Sequence, residues 1–217
     1  MDALIKTVGA YNFPANLFDF ANNERIKFAD YRLLESFINR ELHSHDTKKV
    51  KDGLSNVLYW GYGRIPYGKV RVERFRNKIT DEQLEAFKVL IANKTYSCLT
   101  IKALCMPEYS GLAFISKILM FLNPRKYVTL DEKIMRLSDE SNLDSPLTKI
   151  SFGPKEKTIR ITRFSQVHYM DWCLLCERIA DKYFEDKIAA DIERGFFKLV
   201  DDKNLEEAKK IIKSTMA

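Results

Sequence analysis

Apolar residues recur at three- and four-residue intervals over most of the chain, the period of helices that bury one face. After Asp30, a stripe of Leu33, Leu34, Phe37, Ile38 and Leu42 predicts a helix capped by that aspartate and running to about His43. A second predicted helix covers Asp46 to Trp60, with Val50, Leu54, Val57 and Leu58 inward. Gly61 to Gly68 is punctuated as a loop. Val72, Phe75 and Ile79 resume the helical spacing. Thr80 with Gln83 then makes a capping-box pattern ahead of Leu84, Phe87, Val89, Leu90 and Ile91, a helix that reaches about Asn93. A short helix is expected from about Ser97 to Cys105. Leu112 to Leu122 is apolar almost all round, with Ser116 and Lys117 the exceptions, so it is predicted to be buried on most sides until Asn123-Pro124 stops it. Thr129 to Glu140 is expected to be helical, with Asp131 in the first turn. Further helices are predicted at Ser165–Phe184, Ile188–Val200 and Leu205–Lys213.

Two stretches break this pattern. Residues 1–29 carry Tyr11, Phe13, Phe18, Phe20 and Phe28 without a clean period and read as an irregular arm over the core. Lys149–Phe152 and Thr158–Ile161 flank G-P-K-E-K and read as a small β-hairpin. There is no internal repeat and no low-complexity tract.

Composition agrees with a mainly α domain. The chain has 217 residues, 46% of them hydrophobic, which is enough for a real core, while 8 Gly and 6 Pro are too few for a turn-rich all-β fold. The formal charge of +6 suits a polyanionic partner such as DNA or RNA. Basic residues are densest at Arg64, Lys69, Arg71, Arg74, Arg76 and Lys78, against Glu73 alone. No apolar run reaches the ~18–20 residues that span a bilayer. The N-terminus lacks the pattern of a secretion signal. Four cysteines in a chain of this size do not make a disulfide scaffold, so a cytoplasmic location is the default expectation. Cys173 and Cys176 form a CxxC inside a helical pattern, where zinc-knuckle turns do not sit; the six-residue gap between Cys98 and Cys105 is like part of an iron–sulfur motif, but the remaining spacings do not fit it and the pair lies in the wrong part of the chain, so all four read as structural. His43, His45 and His168 have no visible Asp or Cys partner and read as surface or satisfied histidines. No metal and no cofactor is called for.

The stretch with most chemical content is Met106–Arg136. It sets Asp131 at a helix start, after a loop and a buried helix. A carboxylate there is favoured in its ionised form by the helix dipole, and in a cleft it can activate water or stabilise the oxocarbenium-like state through which a glycosidic bond breaks. The alternative is a residue that only starts a helix.

Met106-Pro107-Glu108-Tyr109-Ser110 resembles the Leu-Pro-Gly-Val-Gly hairpin of helix-hairpin-helix DNA glycosylases. Leu130-Asp131-Glu132-Lys133-Ile134-Met135-Arg136 resembles the Leu-Asp-x-x-Val-x-Arg run that holds the catalytic aspartate of that family, with a spacing like that of the 8-oxoguanine branch. The resemblance implies a two-lobed helical fold over residues 1–217, with lobes at about 30–145 and at 1–29 plus 146–217. It also implies double-stranded DNA as partner and Asp131 as the catalytic carboxylate. Lys94, Arg125, Lys126, Lys133, Arg136 and the 64–78 cluster are then candidates for phosphate contacts. Tyr59, Trp60 and Tyr62 are candidates to sandwich a flipped base, with the core as their other reading.

Two departures narrow the implication. Leu112 stands where bifunctional members place a nucleophilic lysine, and Lys117 lies five residues on, about 140° away around the helix, so it is expected to snorkel or to pair with an acidic residue. An active protein is therefore expected to be monofunctional, using water. Glu108, Tyr109 and Ser110 replace the glycines that let backbone amides approach a phosphate, and Glu108 is expected to repel one. The rival readings are a non-catalytic nucleic-acid-binding module with the same fold and a helical interaction protein without nucleic acid.

Overall fold

The computed structural model describes residues 1–64, 68–152 and 158–216. Among these the chain is mainly helical, with eleven helices and one two-stranded antiparallel sheet.

The predicted caps form. In α2 (Tyr31–Leu42) Asp30 accepts the Leu33 amide, and in α3 (Thr47–Gly61) Asp46 accepts the Lys48 amide. After α4 (Gly68–Lys78), α5 (Asp81–Ala92) opens on the Thr80–Gln83 capping box, and α6 (Cys98–Ala103) opens on a second box between Ser97 and Thr100. Val72 and Phe75 turn inward from α4 and Ile79 from its end, as their spacing predicts. α7 (Leu112–Leu122) has the predicted bounds and is the central element, with α2, α3 and α6 packed against it. Even Ser116 and Lys117, the polar exceptions in its pattern, are buried. The chain closes with α9 (Arg163–Tyr183), α10 (Ala189–Asp201) and α11 (Leu205–Met216).

Three expectations are corrected. Residues 1–29 are not irregular. They form α1 (Asp2–Val8) and a hairpin of β1 (Asn16–Asp19) and β2 (Glu24–Lys27), in the register Asn16↔Lys27 to Asp19↔Glu24. Strands this short contain too few alternations to show a period. The turn is made by Asp19, whose carboxylate accepts the Ala21 and Asn22 amides. The hairpin belongs with α3, where Phe18 donates its amide to Asn56 Oδ1 at 2.8 Å, rather than with residues 146–217. α1 packs on α10 at Gly195, where a Cβ would stand 2.7 Å from Val8 and 2.9 Å from Leu4.

The second correction concerns Lys149–Phe152 and Thr158–Ile161, which carry no strand. Ile150, Ile159 and Ile161 are buried, and the Ile159 carbonyl accepts the Leu112 amide at 3.0 Å, so this segment closes the start of α7. The G-P-K-E-K turn lies outside the described residues. The third correction shortens Thr129–Glu140 to α8 (Glu132–Met135). Beyond it the chain tightens into three-residue turns (Leu137 amide to Ile134, Ser138 amide to Met135), and Thr148 fastens Asp139.

A buried ionic cluster ties α2 to α10. Arg194, buried, binds Glu35 and Asp191, and Arg32 binds the same two carboxylates. No described helix is long and apolar enough to cross a membrane.

Candidate functional site

Asp131 is the N-cap of α8. Its Oδ1 accepts the Lys133 amide at 3.0 Å and the Ile134 amide at 3.2 Å. The helix-dipole argument therefore reduces to these two bonds, because a helix of four residues sums few peptide dipoles. The second oxygen, Oδ2, is not used by the cap and faces Lys117 Nζ at 3.7 Å. That ammonium also donates to the Ala113 carbonyl at 3.0 Å. Lys117 is thus paired with an acidic residue, as expected, but the acidic residue is the candidate catalytic one. The 140° that separates Lys117 from Leu112 around α7 carries the lysine to the site and leaves Leu112 fully buried in the core. Ser116 sets the spacing of the pair. Its hydroxyl accepts the Leu130 amide at 3.0 Å and so holds the residue before Asp131 against α7.

The pair lines a cavity of about 420 Å³ together with Tyr62, Arg71, Glu108 and Phe114. Side-chain exposure of 8% for Lys117 and 26% for Asp131 leaves the carboxylate the more open of the two. Tyr62 and Phe114 lie side by side, with ring centroids 4.5 Å apart and planes 38° apart. Burial raises the Tyr62 phenol above its ordinary pKa, with nearby Arg71 opposing. Gly61 makes room for the site, because a Cβ there would stand 2.6 Å from Phe114 Cε1 and 3.1 Å from Lys117 Cδ.

The turn before α7 has an internal logic that its residue types conceal. Glu108 adopts a left-handed backbone (φ 66°), the conformation for which a glycine would be the ordinary choice. Its carboxylate does not face solvent as a bare negative charge. Arg71 donates to it at 2.8 Å and Arg74 at 3.3 Å, and it is 7% exposed. The expected repulsion of a phosphate by Glu108 is therefore offset by two guanidiniums at the same place. Tyr109 is buried and donates its hydroxyl to the Leu54 carbonyl at 2.6 Å, which pins the turn to α3.

The three aromatic candidates separate. Tyr62 lines the Asp131 cavity. Trp60 is core, edge-on to Phe13 and Phe121. Tyr59 lies at a tilt to Phe18 of the hairpin, ring centroids 5.6 Å apart, and all three candidates border a smaller hollow of about 190 Å³. Phe114 is the aromatic the sequence reading missed, since its place in an apolar helix looked like core.

The basic candidates also separate. Arg71 lines the cavity, and exposed Arg136 follows directly on α8. Lys133 is bound to Asp201 and lies 4.2 Å from the centre of the Phe197 ring. Lys94 and Lys126 are exposed and, like Arg125, do not line the cavity. Arg125 borders a separate one of about 510 Å³ beside Arg32 and Asp186. In the 64–78 stretch, Arg64 binds Asp201, Arg76 binds Asp52, and Lys69 lies over Phe18.

A second carboxyl is influenced by the charge of Asp131. Glu193 of α10 is buried, and its Oε1 meets no hydrogen-bond donor. Burial first, and then the charge of Asp131, pushes its carboxyl up to about 8. Sequence reasoning passed over it because its position falls on a helix with abundant charge.

Among the described residues no cluster of His, Cys, Asp and Glu could hold a metal ion. Cys98, Cys173 and Cys176 are buried, and burial raises all three thiols. His168, expected to lack an acidic partner, stands 3.1 Å from Asp171 one turn on. Comparison of the chain with protein-family models, with curated proteins and with solved structures finds no match.

Proposed function

We propose that this chain is a helix-hairpin-helix-type DNA glycosylase that breaks the N-glycosidic bond of a damaged or mispaired base in the Asp131 cavity. The observation that carries the proposal is the Lys117–Asp131 pair, an amine and a carboxylate 3.7 Å apart in one cavity beside Tyr62 and Phe114. The expectation of a monofunctional enzyme rested on Leu112 in place of a nucleophilic lysine and on the angle of Lys117 around the helix; the approach of Lys117 to Asp131 favours an amine nucleophile instead.

In the proposed reaction Tyr62 and Phe114 offer an aromatic wall to a flipped base. The Lys117 nitrogen, once free of its extra proton, attacks C1′ of the sugar. The new C–N bond forms as the bond to the base breaks, and the departing base takes the electron pair and a proton from solvent. Asp131 Oδ2 stabilises positive charge on the sugar ring and accepts the proton that the nitrogen sheds. The C1′–O4′ bond then breaks, O4′ takes the proton held on Asp131, and the resulting Schiff base can be reduced by hydride to a stable adduct. Arg71, Arg74 and Arg136 are the proposed phosphate contacts nearest this chemistry.

The test offers duplexes carrying 8-oxoguanine, uracil, alkylated bases and mispairs to wild type, Lys117→Ala and Asp131→Asn. Base release by the wild type and a borohydride-trapped adduct absent from both variants are expected. Release without trapping would restore water as the nucleophile. No release from any duplex would remove the enzymatic proposal. The second reading, a DNA-binding module without catalysis, draws on Leu112 in place of a nucleophilic lysine and on the glycine-free turn at Glu108–Ser110, and predicts salt-sensitive binding without turnover.

A further inference from the structure

We propose that Glu193 is a third member of the Lys117–Asp131 site: a buried positioning residue that stays protonated at neutral pH and so leaves the pairing of Lys117 to Asp131. The inference rests on the glycosylase reading only for its catalytic consequence. The protonation itself follows from how the carboxyl is housed.

An ionised carboxylate needs hydrogen-bond donors on both oxygens when it is removed from water. Glu193 is 3% exposed, and its Oε1 meets none. Its sequence neighbour Arg194 does not supply one, because that guanidinium is taken by Glu35 and Asp191. α10 packs against α8, α9 and α1, and the polar groups that act on Glu193 lie on those elements and their neighbours: Thr129 and Asp131 on the α7–α8 connection, Lys117 on α7, Tyr11 in the chain before β1, and the Cys173 and Cys176 thiols on α9. Of these, burial and Asp131 favour the protonated form, while Thr129, Arg194 and Lys117 oppose it. The buried, donor-free oxygen decides the balance.

The consequence for the site is electrostatic. With Glu193 neutral, Lys117 pairs with Asp131. When Glu193 ionises, a second carboxylate joins Asp131, the ammonium form of Lys117 is held more firmly, and attack on C1′ slows. An amine nucleophile alone would speed up steadily as pH rises, so a levelling of that rise as Glu193 ionises is the mark of this third group.

Carbon-13 NMR of carboxyl-labelled glutamate in the intact protein tests the protonation directly, with Glu193→Gln assigning the signal. The expected midpoint is about 8, and Asp131→Asn should lower it by about one pH unit by removing the neighbouring anion. A midpoint at or below about 5, near the free carboxyl range, would overturn the inference, as would a midpoint that Asp131→Asn leaves in place. If Glu193→Gln does not fold, the signal that moves with Asp131→Asn makes the assignment. The rate of borohydride trapping should level off near pH about 8 in wild type and keep rising through that range in Glu193→Gln; a wild-type profile that rises in step with Glu193→Gln would overturn the positioning role. Complete absence of base release with the midpoint still near 8 would remove the glycosylase reading while leaving the protonated Glu193 in place.

Discussion

Two substitutions at Asp131 separate its role as a cap from its role in the cavity. Oδ1 holds the amides of Lys133 and Ile134, and Oδ2 faces Lys117 at 3.7 Å. Asparagine keeps an oxygen acceptor and caps a helix about as well as aspartate, so Asp131→Asn removes only the charge. Asp131→Ala removes both. At this separation two unit charges attract by about 4 kcal/mol at an effective dielectric of about 20. The water-accessible carboxylate, 26% exposed, and the cost of holding the ammonium out of water offset much of that, which leaves a net loss of about 1–2 kcal/mol for the asparagine variant. Losing the cap as well costs about 1 kcal/mol more. In a chain of this size each kcal/mol moves Tm by about 2–4 °C. Thermal melts followed by circular dichroism should therefore place asparagine about 2–8 °C below wild type and alanine a further 2–4 °C below asparagine. Base release and trapping on the same preparations should be lost in both. Equal melting of the two variants would refute the division of labour between the oxygens, and an asparagine variant that still traps DNA would take Asp131 out of the chemistry.

Gly61→Ala should push Phe114 and Lys117 out of place, lowering stability by about 1–3 kcal/mol and the trapping rate by about a hundredfold; a lower Tm with an unchanged rate would show that the site tolerates the displacement. Glu41 gives a pH prediction. Burial raises its carboxyl to about 7 from the ordinary 4.5, so the folded state binds the extra proton and stability falls as pH rises from about 4.5 to about 7, then levels. Glu41→Gln should flatten denaturant-measured stability in that window, leaving the shallower slope that Glu193 extends to about 8; an unchanged slope would assign it to another group.

The helices and their caps were legible because both are local. Asp30, Asp46 and the Thr80–Gln83 box bond to amides within three residues, and α7 announces itself by a run that is apolar except at Ser116 and Lys117. The misplaced sheet has a local cause as well, since four-residue strands carry too little pattern, and the Ile150–Ile161 segment is apolar because it covers α7 rather than because it pairs.

Asp131 was visible as a helix start, and Tyr62 and Arg71 as an aromatic and a cation in a loop and a basic run. What joined them was not visible. Lys117 counted against the site when judged by its angle from Leu112, and it belongs to the site because Ser116 draws the α7–α8 connection back onto that face of the helix. Glu108 read as a repulsive charge until Arg71 and Arg74, more than thirty residues earlier, closed on it. Glu193 could not be distinguished from any other helical acid until α10 buried it beside Asp131.

The chain by itself determines its helical class, its caps and the position of one carboxylate at a helix start, because those depend on bonds and periods spanning a few residues. Which amine meets that carboxylate, which aromatic walls the cavity and which acid keeps its proton depend on helices distant in sequence packing at particular angles. Burial and distance between such groups arise only when the core closes.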